Sequence, residues 1–299
     1  MRALWLLLLV AALLVVTAFA SPWITLGLDG IGFRFRFSAV YDRVFEVLLV
    51  AAMLAAWRPL DLGDATQIGL RRGGGARAFG QGLVVGGCAI TVGLGACWLG
   101  GALVPALRFD PGKTAWEAFI GLLGAVVVGI GEEVLFRGVL LRRLTADAGR
   151  AVGVLGSTAL YAVVHALRPG AQQASVWAGV HRTLALFAPL GDRDTLISVA
   201  GLFGLGLLLV FARLRSGGLW LPIGIHAAFV AAFRVGRLVF DIRRDPVWLV
   251  GAGWPPLVGG VGGLVALAVA FALLTVVFRR DAQGDGRKSS AVQSAGRIP

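Results

Sequence analysis

Long apolar runs, separated by short charged clusters, are the feature that most limits how this chain of 299 residues can fold. Hydrophobic residues make up 58% of the sequence and charged residues 15%. Soluble domains contain about 45–50% apolar and about 25% charged residues, so the composition lies outside the globular range. The pattern predicts an all-α, polytopic membrane protein, and it excludes disordered, collagen-like and disulfide-rich secreted chains.

The runs predict about eight transmembrane helices. They cover approximately residues 4–20, 40–57, 79–104, 116–140, 151–168, 194–212, 217–240 and 256–278. The second run has Asp42, Arg43 and Glu46 near its start, which makes it the weakest candidate. The stretch 171–190 is apolar but interrupted by polar residues, and it predicts an interfacial or re-entrant helix.

The net charge of +12 is carried by arginines at the ends of the apolar runs. Anionic headgroups and membrane topology account for such a distribution, so no nucleic-acid partner is expected. With eight spans both termini share one side, and a modest excess of Lys and Arg predicts that side to be the cytoplasm. We expect a multi-pass protein of a bacterial inner membrane. The first run could also be a signal peptide, because Ala18-Phe19-Ala20 is an A-x-A site, but its length favours an uncleaved anchor.

Charged groups inside the predicted helices are rare and concentrated in the second half of the chain. Glu132 and Glu133, two of only four glutamates, are adjacent inside the fourth run, and Arg137 follows within reach of both. An ion pair that locks helices together would explain one glutamate with Arg137. It would not explain a second glutamate pointing about 100° away around the helix. His165 and His226, two of three histidines, also lie within apolar runs.

A depth estimate tests whether these groups can meet. Counted from the neighbouring arginine clusters, Glu132 lies about 15 Å into the membrane, His226 about 16 Å and His165 about 22 Å. These depths are compatible with a single layer near the middle of the bilayer. Glutamate and histidine together can activate water, since the carboxylate acts as a general base and the imidazole shares its proton. A Zn²⁺ ion held by Glu132, His165 and His226 could do the same work, although no H-E-x-x-H signature is present.

At these residues the sequence resembles the CPBP (CAAX protease and bacteriocin-processing) family of glutamate-type intramembrane proteases, which includes the type II CAAX prenyl endopeptidases. The motif E-E-x-x-x-R appears as Glu132 to Arg137, and an aromatic residue four positions before histidine appears as Tyr161 and His165. A third motif, histidine followed four residues later by asparagine, begins at His226 but has Val230 in its last position. The resemblance covers roughly residues 115–240.

The resemblance implies a role for each matched residue. Glu132 would be the general base with His165 as its partner, Glu133 and Arg137 would orient the site, and His226 would stabilise the oxyanion. Because Val230 stands where the motif has asparagine, that oxyanion would lack one hydrogen-bond donor. Arg234, eight residues after His226, either replaces the donor or extends towards the outer headgroups. The implied function is hydrolysis of a peptide bond near the end of a membrane-anchored or lipidated, CAAX-like substrate, with no cofactor required.

Two other functions stay open from the sequence. A non-catalytic immunity or scaffold protein on the same fold would accommodate Val230. A proton-coupled transporter would also place Glu, His and Arg inside the membrane, although its usual repeats are absent. The predicted organisation is N-terminal helices over 1–110, a catalytic core over 111–245, a last transmembrane helix over 246–278 and a disordered basic tail over 279–299.

Overall fold

The structure, a computed structural model, describes residues 2–71, 73–166, 175–243, 245–251 and 257–295. The described chain is almost entirely helical. Its helices are α1 (Arg2–Gly30), α2 (Phe37–Ala56), α3 (Gly75–Leu99), α4 (Pro111–Glu133), α5 (Leu141–Ala148), α6 (Arg150–Ala166), α7 (Ala178–Ala185), α8 (Arg193–Ser216), α9 (Trp220–Val239), α10 (Val247–Val250) and α11 (Val261–Ala295). A π-helical segment, Val134–Leu140, joins α4 to α5, and a 3₁₀ turn, Ala188–Gly191, precedes α8.

Capping residues explain where the central helices begin and end. The Asp110 side chain accepts a hydrogen bond from the backbone N–H of Lys113 at the start of α4, and Pro111 occupies the first turn, where no backbone donor is needed. Asp192 caps α8 in the same way through Thr195. At the other end of α8, Gly217 adopts a left-handed conformation, φ +66°, that ends the helix.

Six helical stretches in the described part of the chain are long and apolar enough to cross a membrane, rather than the eight expected. They are Arg2–Gly30, Gly75–Leu99, Pro111–Ala148, Arg193–Ser216, Trp220–Val239 and Val261–Arg279. The fold class is therefore confirmed, and the helix count is corrected. The run 40–57 forms α2, whose first turns carry three charged residues, and the run 151–168 forms α6, which has only 17 described residues.

Close packing around α9 positions the second half of the chain. A Cβ atom added to Gly82 of α3 would lie 2.2 Å from the carbonyl oxygen of Leu221, and one added to Gly129 of α4 would lie 3.2 Å from that of Ile223. The backbones of α3 and α4 therefore approach α9 directly, as small residues allow between membrane helices. At one end, β1 (Leu103–Pro105) pairs antiparallel with β2 (Phe240–Ile242), which ties the end of α3 to the end of α9.

The N-terminal helices pack against α7. Gly179 of α7 lies against the carbonyl oxygen of Ala18, and Arg182 forms an ion pair with Asp42 of α2 at 2.8 Å. The A-x-A site is in the middle of α1, where Ala18 and Ser21 are both buried, and the anchor interpretation stays a prediction. The interfacial stretch 171–190 contains α7, while its residues 171–174 lie outside the described residues.

The C-terminal part of the chain folds back onto the core through α10 and α11, and α11 continues as far as Ala295. It thus includes most of the segment 279–299, whose disorder stays a prediction, as does the division into four segments. Cys88 and Cys97 are both free. Nine residues apart on one helix, they are separated by about 13 Å along its axis, which is too far for a disulfide.

Candidate active site

The glutamate pair lies where regular α-helix gives way to a π-helical turn. α4 ends at Glu133, and the segment Val134–Leu140 follows with the wider π-helical geometry. Such turns are rare and are frequent at functional sites. Within the segment, Nη1 of Arg137 lies 2.9 Å from Oε1 of Glu133. The ion pair expected from the sequence therefore forms with Glu133, whereas the π-helical turn was not anticipated.

Glu133, Arg137 and His226 form a fully buried network. Their side chains are 0%, 1% and 3% exposed, respectively. Oε1 of Glu133 contacts Arg137 and also lies 2.8 Å from Nδ1 of His226. Nη2 of Arg137 donates a hydrogen bond to the carbonyl oxygen of Gly206 in α8, at 3.3 Å. A buried charge is tolerated only when it is paired and hydrogen-bonded. This network therefore fixes the ring of His226 and ties three helical segments together.

Glu132 and His165 form the exposed edge of the same cluster. Oε2 of Glu132 lies 3.0 Å from Nε2 of His165 and 3.6 Å from Nε2 of His226. The two side chains of the closer pair are 27% and 24% exposed. A single carboxylate oxygen thus faces both imidazoles. That oxygen is itself buried, and the exposed parts of the Glu132 and His165 side chains form the accessible edge of the site.

Hydrogen bonding determines where protons sit on the two rings. Nδ1 of His165 lies 2.8 Å from the carbonyl oxygen of Tyr161, which can only accept, so Nδ1 carries a hydrogen. Nε2 then faces a carboxylate oxygen, and that contact is favourable only when one proton lies on either Glu132 or His165. In His226, Nδ1 faces Oε1 of Glu133, which also accepts from Arg137, so Nδ1 carries the hydrogen and Nε2 is directed towards Glu132.

Tyr161 organises the cluster although its role was not assigned from the sequence beyond the aromatic motif. Its buried ring lies 4.3 Å from the ring of His165 and 5.9 Å from that of His226. The guanidinium carbon of Arg137 lies 4.3 Å from the ring centre, within the range of a cation–π interaction. The four-residue spacing to His165 puts both on one helical face and is the signal from which these contacts could have been found.

The remaining candidate residues lie apart from the buried network. His181 is exposed on α7, as expected for an interfacial residue. Val230 is partly buried, one helical turn beyond His226, and Arg234 is exposed one turn further along α9. Gly206, whose carbonyl oxygen accepts from Arg137, was missed because nothing in the sequence distinguishes it from the other glycines of its run.

The residues proposed as zinc ligands do not form a metal-ready arrangement. In the described ranges, no group of three or more His, Cys, Asp or Glu side chains has positions that could hold a metal ion. We therefore derive no step through a metal, and the zinc alternative stays an expectation for chelation to test.

Together these features define a polytopic membrane protein with a partly buried Glu-Glu-Arg-His-His cluster, to which α4, α6 and α9 each contribute. Residues 114–232 match the Rce1-like family, described as type II CAAX prenyl endopeptidase Rce1-like. This match confirms the resemblance to the CPBP family and covers every residue of the cluster. No curated protein and no solved structure matches the chain significantly.

Proposed function

We propose that this protein is an intramembrane endopeptidase that cleaves a peptide bond near the end of a membrane-anchored or lipidated substrate. The observation that carries the proposal is the division of the cluster into two parts. A partly exposed carboxylate–imidazole pair, Glu132 and His165, is supported by a buried network of Glu133, Arg137 and His226. A purely structural ion-pair lock would need only the buried part.

In the proposed mechanism, Glu132 is the general base. Its carboxylate accepts a proton from a water molecule as the water oxygen attacks the carbonyl carbon of the scissile bond. The C–N bond of the tetrahedral intermediate then breaks, and a proton from the Glu132–His165 pair passes to the leaving amine. The products are a carboxylic acid and an amine, so the reaction consumes one water and regenerates the pair.

His226 stabilises the oxyanion in this mechanism. Its Nε2 faces the same space as the Glu132 carboxylate, while Nδ1 contacts Glu133. As an imidazolium, the ring would donate a hydrogen bond from Nε2 to the oxyanion. Charge stabilisation of this kind is most effective in a site that excludes water. Arg137 pairs with Glu133, and the ring of Tyr161 packs against both imidazole rings. Arg137 and Tyr161 therefore act by positioning and do not need to touch the substrate.

The substrate we propose is a lipidated, CAAX-like or otherwise membrane-anchored chain, in keeping with the family match. Binding of its lipid or apolar tail would position the peptide at the site. A bacterial inner membrane with both termini in the cytoplasm is part of the same proposal, because the arginine distribution favours that orientation. No cofactor is required.

The test compares purified wild-type protein with Glu132→Ala and His226→Ala on membrane peptides that include prenylated C-terminal peptides. Products are read by mass spectrometry with and without a chelator. Glu117→Ala and His181→Ala are matched controls. Glu117 is exposed on α4, the helix that carries Glu132, and His181 is exposed on α7. We expect cleavage that survives chelation, is lost in the two site variants and is retained in the two controls. Loss on chelation with recovery on adding Zn²⁺ would instead assign Glu132, His165 and His226 as ligands.

A scaffold or immunity protein on the same fold is the second candidate, and Val230 is the observation that favours it. Asparagine at this position would add a hydrogen-bond donor one turn from His226. If wild-type protein cleaves none of the peptides but Val230→Asn cleaves them, the catalytic machinery is intact and the native chain acts as a scaffold.

A further inference from the structure

A cavity between α1 and α2, here the α1–α2 cavity, is not part of the candidate active site. Its volume is about 560 Å³, within the range of about 300–1,000 Å³ for pockets that hold small ligands. Ile24 and Leu28 line it from the last turns of α1, the first half of α2 forms the other wall, and Phe35 lines it from the connecting loop. All of these residues lie outside the range 114–232 that matches the family.

The lining of the α1–α2 cavity is apolar apart from one arginine. Of its nine lining residues, only Arg43 has a polar or charged side chain. Water has too few hydrogen-bond partners in such a space. Two residues of the walls, Ile24 and Val47, are exposed, so the cavity opens to the surface of the protein. It therefore suits an apolar ligand that enters from the lipid phase.

The length of the cavity matches one leaflet of a bilayer. From Ala39 to Leu48 its wall follows nine residues of α2, which corresponds to about 14 Å along the helix axis. The hydrocarbon core of a membrane is about 30 Å thick, so each leaflet contributes about 15 Å. The cavity is thus about as long as an acyl chain that stays within one leaflet.

The loop that joins the two helices, residues 31–36, alternates aromatic and basic side chains. The exposed rings of Phe33 and Phe35 are stacked, with centroids 6.3 Å apart and an interplanar angle of 7°, so they share one side of the loop. Alternate residues of an extended segment face opposite sides, which puts Arg34 and Arg36 on the other side. Because Phe35 lines the cavity, the two arginines lie on the side suited to headgroups.

The arginines near the cavity are available to an anionic group. Arg34 and Arg36 have no ion-pair partner among the residues that the structure describes. Arg43 pairs with Glu46, but the two side chains are 77% and 56% exposed, and such a surface pair is weak enough for a phosphate to compete. The other charged side chains on or against this helix pair are Asp29, which is exposed, and Asp42 and Arg182, which pair with each other.

We infer that the α1–α2 cavity binds an anionic phospholipid. One acyl chain fills the apolar cavity, and the phosphate pairs with Arg43 at its wall and with Arg34 and Arg36 of the loop. Charge-assisted hydrogen bonds from guanidinium groups to the phosphate supply the selectivity for this headgroup. The inference goes beyond the proposed function and is independent of it, because no residue of the candidate active site lines the cavity.

The bound lipid also supports the contact of α2 with α7. Tyr41 and Asp42 directly follow Val40 of the cavity wall. The hydroxyl of Tyr41 lies 2.7 Å from that of Thr183, and Asp42 pairs with Arg182 at 2.8 Å. A ligand that binds only the folded state raises its stability. Lipid binding therefore stabilises the unit of α1, α2 and α7.

Retention of lipid is the first measurement. The full chain is reconstituted in nanodiscs of phosphatidylglycerol and phosphatidylcholine with identical acyl chains, and bound lipid is read by native mass spectrometry. We expect phosphatidylglycerol to be retained preferentially. Arg43→Gln should lower this preference about fivefold, the contribution of one arginine at an anionic membrane surface. Arg58→Gln is the matched control, an exposed arginine beyond the opposite end of α2, where we expect no effect.

Filling the cavity tests the acyl-chain part of the site. Ala39→Phe places a ring in the cavity, whereas Ala51→Phe adds the same ring to an exposed position of α2 outside the lining. We expect loss of bound phosphatidylglycerol only in Ala39→Phe. Unfolding midpoints in detergent without lipid should agree for the two variants, and added phosphatidylglycerol should raise the midpoint of Ala51→Phe alone.

Four results would overturn the inference. They are equal retention of the two lipids, retention of phosphatidylglycerol that survives Ala39→Phe, equal losses in Arg43→Gln and Arg58→Gln, and displacement of the lipid by an S-farnesyl peptide. The last result would assign the cavity to the apolar tail of a peptide instead. Bound phosphatidylglycerol that resists the peptide and is lost in Arg43→Gln and Ala39→Phe would support the lipid site.

Discussion

Oε1 of Glu133 lies 2.8 Å from Nδ1 of His226, and Arg137 contacts the same oxygen. The carboxylate that follows the proposed base is therefore a positioning group, which joins α9 to the π-helical turn after α4. The two adjacent glutamates differ in exposure as well as in partner. The cluster therefore contains fully buried residues and partly exposed residues, and substitutions of the two kinds should have different effects on stability and activity.

Glu132→Gln is expected to reduce mainly the cleavage activity, whereas Glu133→Gln is expected to reduce mainly the stability. Glu132→Gln removes a partly exposed general base, so we expect cleavage to fall about 10²- to 10⁴-fold with little change in thermal stability. Glu133→Gln leaves Arg137 buried without its ionised partner, which costs about 3–5 kcal/mol. Activity and the thermal unfolding midpoint in detergent, measured on both variants, give the comparison. Equal loss of stability in the two would contradict the division of the cluster.

Tyr161→Phe should be well tolerated, whereas Tyr161→Ala should not. The contacts of Tyr161 with His165, His226 and Arg137 are made by its ring, which phenylalanine keeps. Removing the ring leaves a cavity and frees both imidazoles, at a cost of about 3–5 kcal/mol. Unfolding midpoints and cleavage rates report the two effects. A large loss of stability in Tyr161→Phe would show that the hydroxyl matters.

A methyl group added to the α3–α9 contact is expected to destabilise the fold. In Gly82→Ala the new Cβ would meet the carbonyl oxygen of Leu221 at 2.2 Å, so the helices must separate. Overpacking of this kind costs about 1–3 kcal/mol. Gly87→Ala, on the same helix with nothing within 4 Å of the added atom, is the matched control. Similar unfolding midpoints for the two variants would argue against the tight contact.

The ion pair between α2 and α7 is expected to hold α7 in place. Arg182 is only 6% exposed in its side chain, so Asp42→Asn leaves a buried cation with a weaker partner, at a cost of about 1–3 kcal/mol. Glu46→Gln disrupts a fully surface-exposed pair with Arg43 and should change stability by less than about 1 kcal/mol. Limited proteolysis at α7, together with unfolding midpoints, distinguishes the two. Faster proteolysis at α7 in Glu46→Gln than in Asp42→Asn would contradict the role of the Asp42–Arg182 ion pair in holding α7 in place.

The sequence is informative where a residue is out of place in its surroundings. Charged and imidazole side chains are rare in apolar runs, and this contrast is enough to single out Glu132, Glu133, Arg137, His165 and His226. The structure brings all five together, as the depth estimate suggested. Hydropathy also predicts the all-helical class, because spanning segments must satisfy their own backbone hydrogen bonds.

Properties that depend on geometry between helices could not be predicted in this way. The charges at the start of α2 mark it as a weak span already in the sequence, but hydropathy does not show that the described part of α6 has only 17 residues. The amino-acid composition does not predict the π-helical turn. It does not predict the hydrogen bond that Arg137 donates to the carbonyl oxygen of Gly206 either. The close approach of Gly129 to the carbonyl oxygen of Ile223 is likewise revealed only by the pairing of α4 with α9.

The backbone contacts of α9 with α3 and α4 also constrain how the site can open. Glu132, Glu133 and His226 lie on α4 and α9, which the glycine contacts hold together as one body. His165, unlike His226, comes from another helix, α6. A displacement of α6 would therefore separate His165 from Glu132. The buried contacts among Glu133, Arg137 and His226 would stay in place, because none of these residues lies on α6.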